Sequence, residues 1–99
     1  MAGKTWDKEH IRSELEGDWA PVYAALVPNG KLVGRGAWRS ALCPFHDDHN
    51  PSLSVNVIHG GWRCHAGCGS GDAFSFVMQL EQCGFPEAMG EILRVGGLI

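Results

Sequence analysis

The residues best suited to chemistry in this 99-residue chain form two short-spaced pairs of metal-binding side chains. Cys43 and His46 are separated by two residues, and Cys64 and Cys68 are separated by three. Glycine and proline residues frame both pairs, so each pair is expected to lie on a tight loop with both side chains directed at one ion. Thiolate and imidazole are ligands that zinc prefers. The sequence therefore predicts a zinc site held by Cys43, His46, Cys64 and Cys68.

One of the four ligand positions has two candidates. His65 would give the commoner two-residue gap before Cys68, whereas Cys64 supplies the softer thiolate, which zinc binds more strongly. Ligand softness favours Cys64, and His65 remains the alternative. In either arrangement four protein ligands occupy all the coordination positions of a tetrahedral ion and leave none for a reactive water. The pattern therefore predicts a structural ion and no catalytic residues.

The segment between the two pairs must bring them together. Residues 52–57 alternate in polarity, which is typical of a strand with one buried face; we expect Leu53, Val55 and Val57 inward and Ser52, Ser54 and Asn56 outward. Gly60-Gly61 supplies a return turn, and residues 62–64 begin the partner strand. Residues 31–42 are expected to form a further strand or pair of strands, broken by glycines. The sequence thus predicts a small antiparallel sheet whose polar face is the natural binding surface.

Helices are predicted on both sides of this sheet. Residues 7–15 form a short polar helix, and a second helix capped by Asp18 presents an apolar stripe made of Trp19, Val22, Tyr23 and Leu26. Asp72 is expected to cap a third helix, and Pro86 to open the last one. The predicted fold is α+β, a zinc-ribbon antiparallel sheet flanked by N- and C-terminal helices. We expect one domain over residues 1–99, with the metal module at 43–68.

Composition narrows the class of protein. A hydrophobic content of 44% is that of a globular chain, although the core of so short a domain is marginal without a metal. No apolar run reaches membrane-spanning length and no secretory signal opens the sequence, so we expect a cytoplasmic protein with reduced cysteines. Residues 2–5, Ala-Gly-Lys-Thr, lack the earlier glycine and the preceding strand of a phosphate-binding loop.

Charge is distributed unevenly along the chain. The net charge is −3, but residues 31–68 carry four basic and two acidic side chains. A local basic face suits weak contact with a nucleic-acid backbone, and arginines scattered over a solvated surface are the alternative. Single strands also require planar groups for base stacking, so the predicted DNA-binding residues are Arg35, Trp38, Arg39, Trp62 and Arg63. Both tryptophans could instead be core residues that seal the zinc site.

The ligand pairs lie within a longer pattern that resembles the zinc-binding domain of bacterial and phage DnaG-type DNA primases, a CHC2-type zinc finger. The resemblance covers residues 18–97 and rests on Cys43-Pro44-Phe45-His46, Asp48, Pro51-Ser52, Trp62-Arg63-Cys64, Cys68-Gly69, Gly71-Asp72, Phe74–Met78 and Phe85-Pro86-Glu87-Ala88. Bacterial members usually have two residues between the last two cysteines, and the three found here are closer to phage-type relatives.

This resemblance implies zinc as the cofactor and single-stranded DNA template as the ligand. It implies a role in starting RNA primers for DNA replication in a primosome, beside a primase polymerase domain or a replicative helicase and without a membrane. The carboxylates that polymerise nucleotides in that family are absent here, so the chain would be its non-catalytic part. Asp48 matches an acidic position of the family, where it would orient the His46 ring or cap the following turn. The alternative function is a zinc-ribbon adaptor that binds a protein partner in replication or transcription.

Overall fold

Four short antiparallel strands form one sheet and follow one another in sequence order. The computed structural model describes residues 6–99, so the Ala-Gly-Lys-Thr stretch lies outside it. The strands are β1 (Trp38–Ala41), β2 (Leu53–Asn56), β3 (Trp62–Cys64) and β4 (Gly69–Gly71), in the order β1-β2-β3-β4. Each strand pairs antiparallel with the next. The alternating pattern and the glycine turn predicted the β2–β3 pairing, whereas β4 was not predicted.

Residues 31–42 contain a tight turn and only one regular strand, β1. Gly34 and Gly36 have φ of +118° and +80°, a region that glycine enters without strain. The chain therefore reverses between them, and Val33 returns to exchange two backbone hydrogen bonds of 2.8 Å with Ser40. The strand or pair of strands predicted over residues 31–42 consists of an isolated bridge from Val33 to Ser40 and the four residues of β1.

The helices are α1 (Lys8–Leu15), α2 (Ala20–Leu26), α3 (Ala73–Glu81) and α4 (Phe85–Val95), with a short 3-10 helix at Pro28–Gly30. Asp72 caps α3 as predicted, because its side chain accepts a hydrogen bond from the Ser75 N–H. The cap of α2 is Trp19 and not Asp18, whose carboxylate only approaches the Ala20 N–H at 3.4 Å. None of the helices in residues 6–99 is long and apolar enough to cross a membrane.

An aromatic core connects the helices to the first ligand loop. The predicted stripe of α2 is buried, with Trp19, Val22, Tyr23 and Leu26 all facing inward. Phe76 of α3 lies at the centre of this core, and its ring centroid is 5.0 to 5.2 Å from those of Phe45, Trp62 and Tyr23. Phe45 lies between Cys43 and His46 in sequence, so its packing anchors the loop that carries both ligands.

Candidate metal centre and outer face of the sheet

The hairpin between β2 and β3 brings the two ligand pairs to one end of the sheet. Cys43 lies two residues after β1, His46 is in the following loop, Cys64 ends β3, and Cys68 directly precedes β4. One potential ligand atom from each of the four lies within 4.8 Å of all the others. Because Leu53 of β2 pairs with Cys64 of β3, the hairpin register fixes the distance between the two loops.

Asp48 braces the first ligand loop from within. One oxygen of its carboxylate, Oδ2, accepts hydrogen bonds from the Cys43 N–H at 2.8 Å, the Ser52 N–H at 3.1 Å and the Ser52 hydroxyl at 2.9 Å. These hydrogen bonds, of which that from the Cys43 amide has the largest effect, lower the pKa of Asp48 to about 2. Partial burial acts in the opposite direction, because it disfavours the charged carboxylate. The carboxylate is therefore ionised at neutral pH and holds both ends of the loop. Ser52 is a site residue that sequence reasoning missed, although its place four residues after Asp48 in a tight loop is a usable signal.

The same carboxylate faces the imidazole of His46. Asp48 Oδ1 lies 3.4 Å from His46 Nε2, and on the other side of the ring His46 Nδ1 lies 3.0 Å from Cys68 Sγ. The ring thus directs Nδ1 into the cysteine cluster and Nε2 toward a carboxylate. A carboxylate behind a ligand imidazole orients the ring and increases its basicity.

The three cysteines differ in how easily they ionise. Burial opposes ionisation of Cys64, but backbone N–H groups of Cys68 and Ala66 point at its sulfur and bring its pKa to about 7. Burial raises the pKa of Cys43 to about 12, although the Phe45 N–H reaches its Sγ at 3.4 Å. Burial also raises the pKa of Cys68. A bound cation would stabilise the thiolate form of all three.

This donor set fits zinc. Three sulfurs and one imidazole nitrogen match a closed structural site, whose bonds of about 2.0 to 2.3 Å place the ligands about 4 Å apart. The observed spread of 4.8 Å requires only small inward movements of the side chains. The four residues are arranged as a zinc site, and bound zinc would supply cross-linking of the two loops and no catalysis. Cys83 is not part of this cluster.

His65 lies outside the cluster. Its side chain is exposed and points to the other face of the sheet, where Nε2 lies 2.9 Å from the Ser54 hydroxyl. Cys64 is buried within the cluster, so the choice between the two candidates falls on Cys64.

The outer face of the sheet, opposite the core, carries an open groove. Cross-strand pairing places Ser40, Ser54, Arg63 and Ser70 in one row across the four strands. A groove of about 340 Å³ lies on this face, lined by Trp38, Ser54, Arg63 and His65. No ion pair involves Arg63 within residues 6–99, and half of the Trp38 surface is exposed.

The five predicted DNA-binding residues do not share one surface. Trp38 and Arg63 lie on the outer face, and Arg35 is exposed in the turn between Gly34 and Gly36. Arg39 is paired with buried Val55, so it belongs to the inner side, where its Nε donates to the Gly36 carbonyl at 2.8 Å.

Trp62 does not fit the role of a base-stacking residue. Its side chain is 3% exposed, its ring packs against Phe45 and Phe76, and its Nε1 donates to the Asp72 carbonyl at 2.9 Å. It seals the inner side of the zinc site, which was the alternative for the tryptophans. A residue two positions from a ligand in the same strand shares its face, so Cys64 was the sequence signal for this.

Asn56 was predicted to point outward and is buried instead. Only 4% of its surface is exposed, and its side-chain oxygen accepts 2.9 Å hydrogen bonds from the Ile58 and His59 N–H groups. A polar residue that caps a tight turn can be buried because its hydrogen bonds replace those to water.

Known proteins are similar to this chain over most of its length. Residues 23–98 match the family model described as CHC2 zinc finger. The chain is 43% identical over 83 residues to a DNA primase of Lactococcus lactis, covering 82% of this chain and 12% of that protein. It is 37% identical over 76 residues to a DNA primase of Deinococcus radiodurans, covering 77% of this chain and 12% of that protein.

A solved structure has the same fold. The chain superimposes with a TM-score of 0.70 and 29% identity on the crystal structure of the Aquifex aeolicus primase, described as its zinc-binding and RNA polymerase domains. The match covers 95% of this chain and 22% of that one. The chain therefore spans about an eighth of the two curated relatives and less than a quarter of the solved structure.

Proposed function

The chain belongs to the CHC2 zinc finger family of DnaG-type DNA primases, and on that premise we propose that it recognises single-stranded DNA template and assists RNA primer initiation. The zinc cross-links the loops and fixes the hairpin, and the outer face of the hairpin contacts the template. The separate step of joining nucleotides belongs to a polymerase domain.

The composition of the outer face carries this proposal. In the part of the chain that the structure describes, β1 to β4 contain no acidic residue. In contrast, α1 contains Glu9 and Glu14 and is flanked by Asp7 and Glu16. An exposed aromatic ring beside an unpaired arginine is the combination that single-strand binding uses, because bases stack and phosphates are neutralised. An adaptor for a protein partner would be expected to present an apolar or acidic face instead.

The expected interaction is weak and local. A net charge of −3 gives no long-range attraction for DNA, so contact depends on the few cations near the groove. Arg63 lines the groove, and Arg35 is exposed in the turn that precedes β1. Two phosphate contacts on a single strand imply a log–log salt slope of only about −1.4.

The proposed partner is the polymerase domain of a primase, with a replicative helicase as the further candidate. The Aquifex aeolicus primase contains zinc-binding and RNA polymerase domains in one chain, of which this chain matches 22%. We place this assembly in the cytoplasm, where thiols stay reduced and bind metal.

The test is fluorescence anisotropy of a labelled single-stranded decamer and the matching duplex, measured over a salt series with the zinc-loaded chain. We expect the single strand to bind better than the duplex. Arg63→Gln should weaken binding and reduce the salt slope by about 0.7, the contribution of one phosphate on a single strand. Arg12→Gln on α1 is the matched control and should change neither quantity.

Two results would reject the proposal. Equal losses of DNA affinity in Arg63→Gln and Arg12→Gln would show that the outer face does not contact the strand. Binding of neither strand at any accessible concentration would favour the protein-adaptor function.

A further inference from the structure

We propose that the outer groove holds one unpaired base of the strand, stacked on Trp38, with its hydrogen-bonding edge at the Ser54–His65 pair and its phosphate at Arg63. This inference rests on the proposed function and adds to it a one-nucleotide subsite. The ligand chemistry is that of a nucleobase attached to a phosphate: a flat ring, polar edge groups and one negative charge.

Trp38 is an exposed platform whose ring is held in place. It is 51% exposed. The ring of His59 meets it edge-on, with centroids 5.6 Å apart and planes at 83°. His59 is itself fixed, because its Nδ1 accepts the Gly61 N–H at 3.0 Å. A stacking surface that is already positioned loses little conformational freedom on binding, so more of the stacking energy appears as affinity.

The Ser54–His65 pair supplies polar groups at the side of this platform. The Ser54 hydroxyl of β2 and Nε2 of His65, the residue directly after β3, are 2.9 Å apart. A hydroxyl and an imidazole can each donate or accept a hydrogen bond. Together they can therefore pair with the edge of a base, which carries both kinds of group when it is not paired to another strand.

Arg63 completes the groove with a positive charge. It pairs with Ser54 across β2 and β3, and its side chain lines the groove together with Trp38, Ser54 and His65. It is exposed and has no ion pair in residues 6–99, which leaves the guanidinium available for a phosphate.

The size of the groove suits one nucleotide as the occupant. Its volume of about 340 Å³ is at the lower end of the range for small-ligand sites, about 300–1,000 Å³. A base that is stacked inside a duplex cannot present its face to Trp38, so the groove selects for single strands.

The experiment compares two labelled decamers of equal charge: oligodeoxythymidine, and an abasic strand with the same phosphates and no bases. Affinity is measured by anisotropy for the native zinc-loaded chain and for Trp38→Ala, Trp38→Phe, Arg63→Gln and Ile58→Ala. Ile58 is a matched control, since it is also an exposed apolar residue but does not line the groove. Zinc content and thermal melting of each variant show whether it is folded.

We expect Trp38→Ala to weaken oligodeoxythymidine binding by about 5- to 150-fold, the equivalent of one lost stacking contact. Trp38→Phe, which keeps an aromatic ring, should stay near native, and Ile58→Ala should have no effect. The abasic strand should bind the native chain and Trp38→Ala equally and weakly.

Nuclear magnetic resonance gives a second measurement that detects weak binding. On titration with oligodeoxythymidine, the indole N–H of Trp38 and the backbone amides of Arg63 and His65 should shift. The buried indoles of Trp19 and Trp62 are internal controls and should stay in place.

The outcomes separate this inference from the proposed function. If Arg63→Gln weakens oligodeoxythymidine binding while Trp38→Ala does not, the domain binds single strands but the groove holds no base. Equal losses from Trp38→Ala and Ile58→Ala, or equal affinity of native chain for the two decamers, would also overturn the base subsite. Failure of both decamers to bind, with no shift of the Trp38 indole, would reject both proposals.

Discussion

At the scale of single residues, the metal centre depends on a carboxylate that is not a ligand. Asp48 joins the backbone of Cys43 to that of Ser52 and faces the His46 ring at 3.4 Å. Only 7% of its side chain is exposed, so water does not compete strongly for these hydrogen bonds. One side chain thereby sets the position of two of the four ligands before any ion binds.

We predict that Asp48→Ala lowers zinc affinity by about 10- to 100-fold, the usual effect of losing a partner behind a ligand imidazole. The loop would lose three hydrogen bonds to Oδ2, and the His46 ring would lose its orienting charge. Competition with a chromophoric chelator measures the change. Asp47→Ala is the control, because Asp47 is 91% exposed and forms its ion pair with His49, which is also exposed. Equal affinities for the Asp48 and Asp47 variants would show that Asp48 has no such role.

At the scale of secondary-structure elements, two junctions determine how the helices meet the sheet. The turn from β2 to β3 places Gly60 against the indole ring of Trp19. The backbone N–H of Trp19 donates a hydrogen bond to the Val57 carbonyl at 2.7 Å. At the other junction, Lys8 of α1 forms a 2.8 Å ion pair with Asp72, the cap of α3.

We predict that Gly60→Ala destabilises the fold by about 2–5 kcal/mol, the sum of a left-handed backbone penalty and an overpacked core. A Cβ at Gly60 would lie 2.7 Å from the Trp19 ring, and φ there is +86°. Gly17→Ala is the control, since Gly17 has φ of +94° but no atom within 4 Å of the added carbon. Urea unfolding midpoints measure both. Similar losses for the two variants would mean that contact with Trp19 is unimportant.

The Lys8–Asp72 junction gives a prediction about pH. Burial disfavours the charged form of Asp72, but hydrogen bonds from Lys8 and the Ser75 N–H outweigh it and lower its pKa. A lowered carboxyl pKa contributes stability that is present above the ordinary value of about 4 and is lost as pH falls through the folded pKa.

Asp72→Asn should therefore lower the free energy of unfolding by a constant amount between pH 8 and 5. The difference in unfolding free energy between the native chain and the variant should narrow only below about pH 4. The Lys8–Asp72 ion pair is well exposed, so it contributes only about 0.2–1 kcal/mol to the free energy of unfolding. Urea unfolding in excess zinc at several pH values measures the difference, with Glu14→Gln as the control. A difference that already shrinks between pH 8 and 5 would contradict the lowered pKa.

At the scale of the whole molecule, the zinc site and the helical stripe could be predicted because both depend on local spacing. Cys43, His46, Cys64 and Cys68 lie within two loops whose residue gaps already limit where the side chains can point. The α2 stripe likewise follows from the helix period.

The outer face could be predicted only in part, because strand register decides which face a side chain takes. Arg39 was grouped with Arg63 by charge, and pairing with Val55 places it on the other side of the sheet. The turn at Gly34 and Gly36 also shortens the strand before the ligand loop. Asn56 is buried because it caps a turn, a tertiary role that its polarity alone does not indicate.

We predict that one structural zinc ion with three sulfur ligands and one nitrogen ligand organises this domain. Zinc K-edge X-ray absorption on the zinc-loaded native chain tests it most directly, because sulfur at about 2.3 Å and nitrogen at about 2.0–2.1 Å are resolved as separate shells. We predict three sulfurs and one nitrogen per ion, unchanged in His65→Ala. A shell of two sulfurs and two nitrogens that changes in His65→Ala, or an oxygen ligand indicating an open position, would contradict the claim.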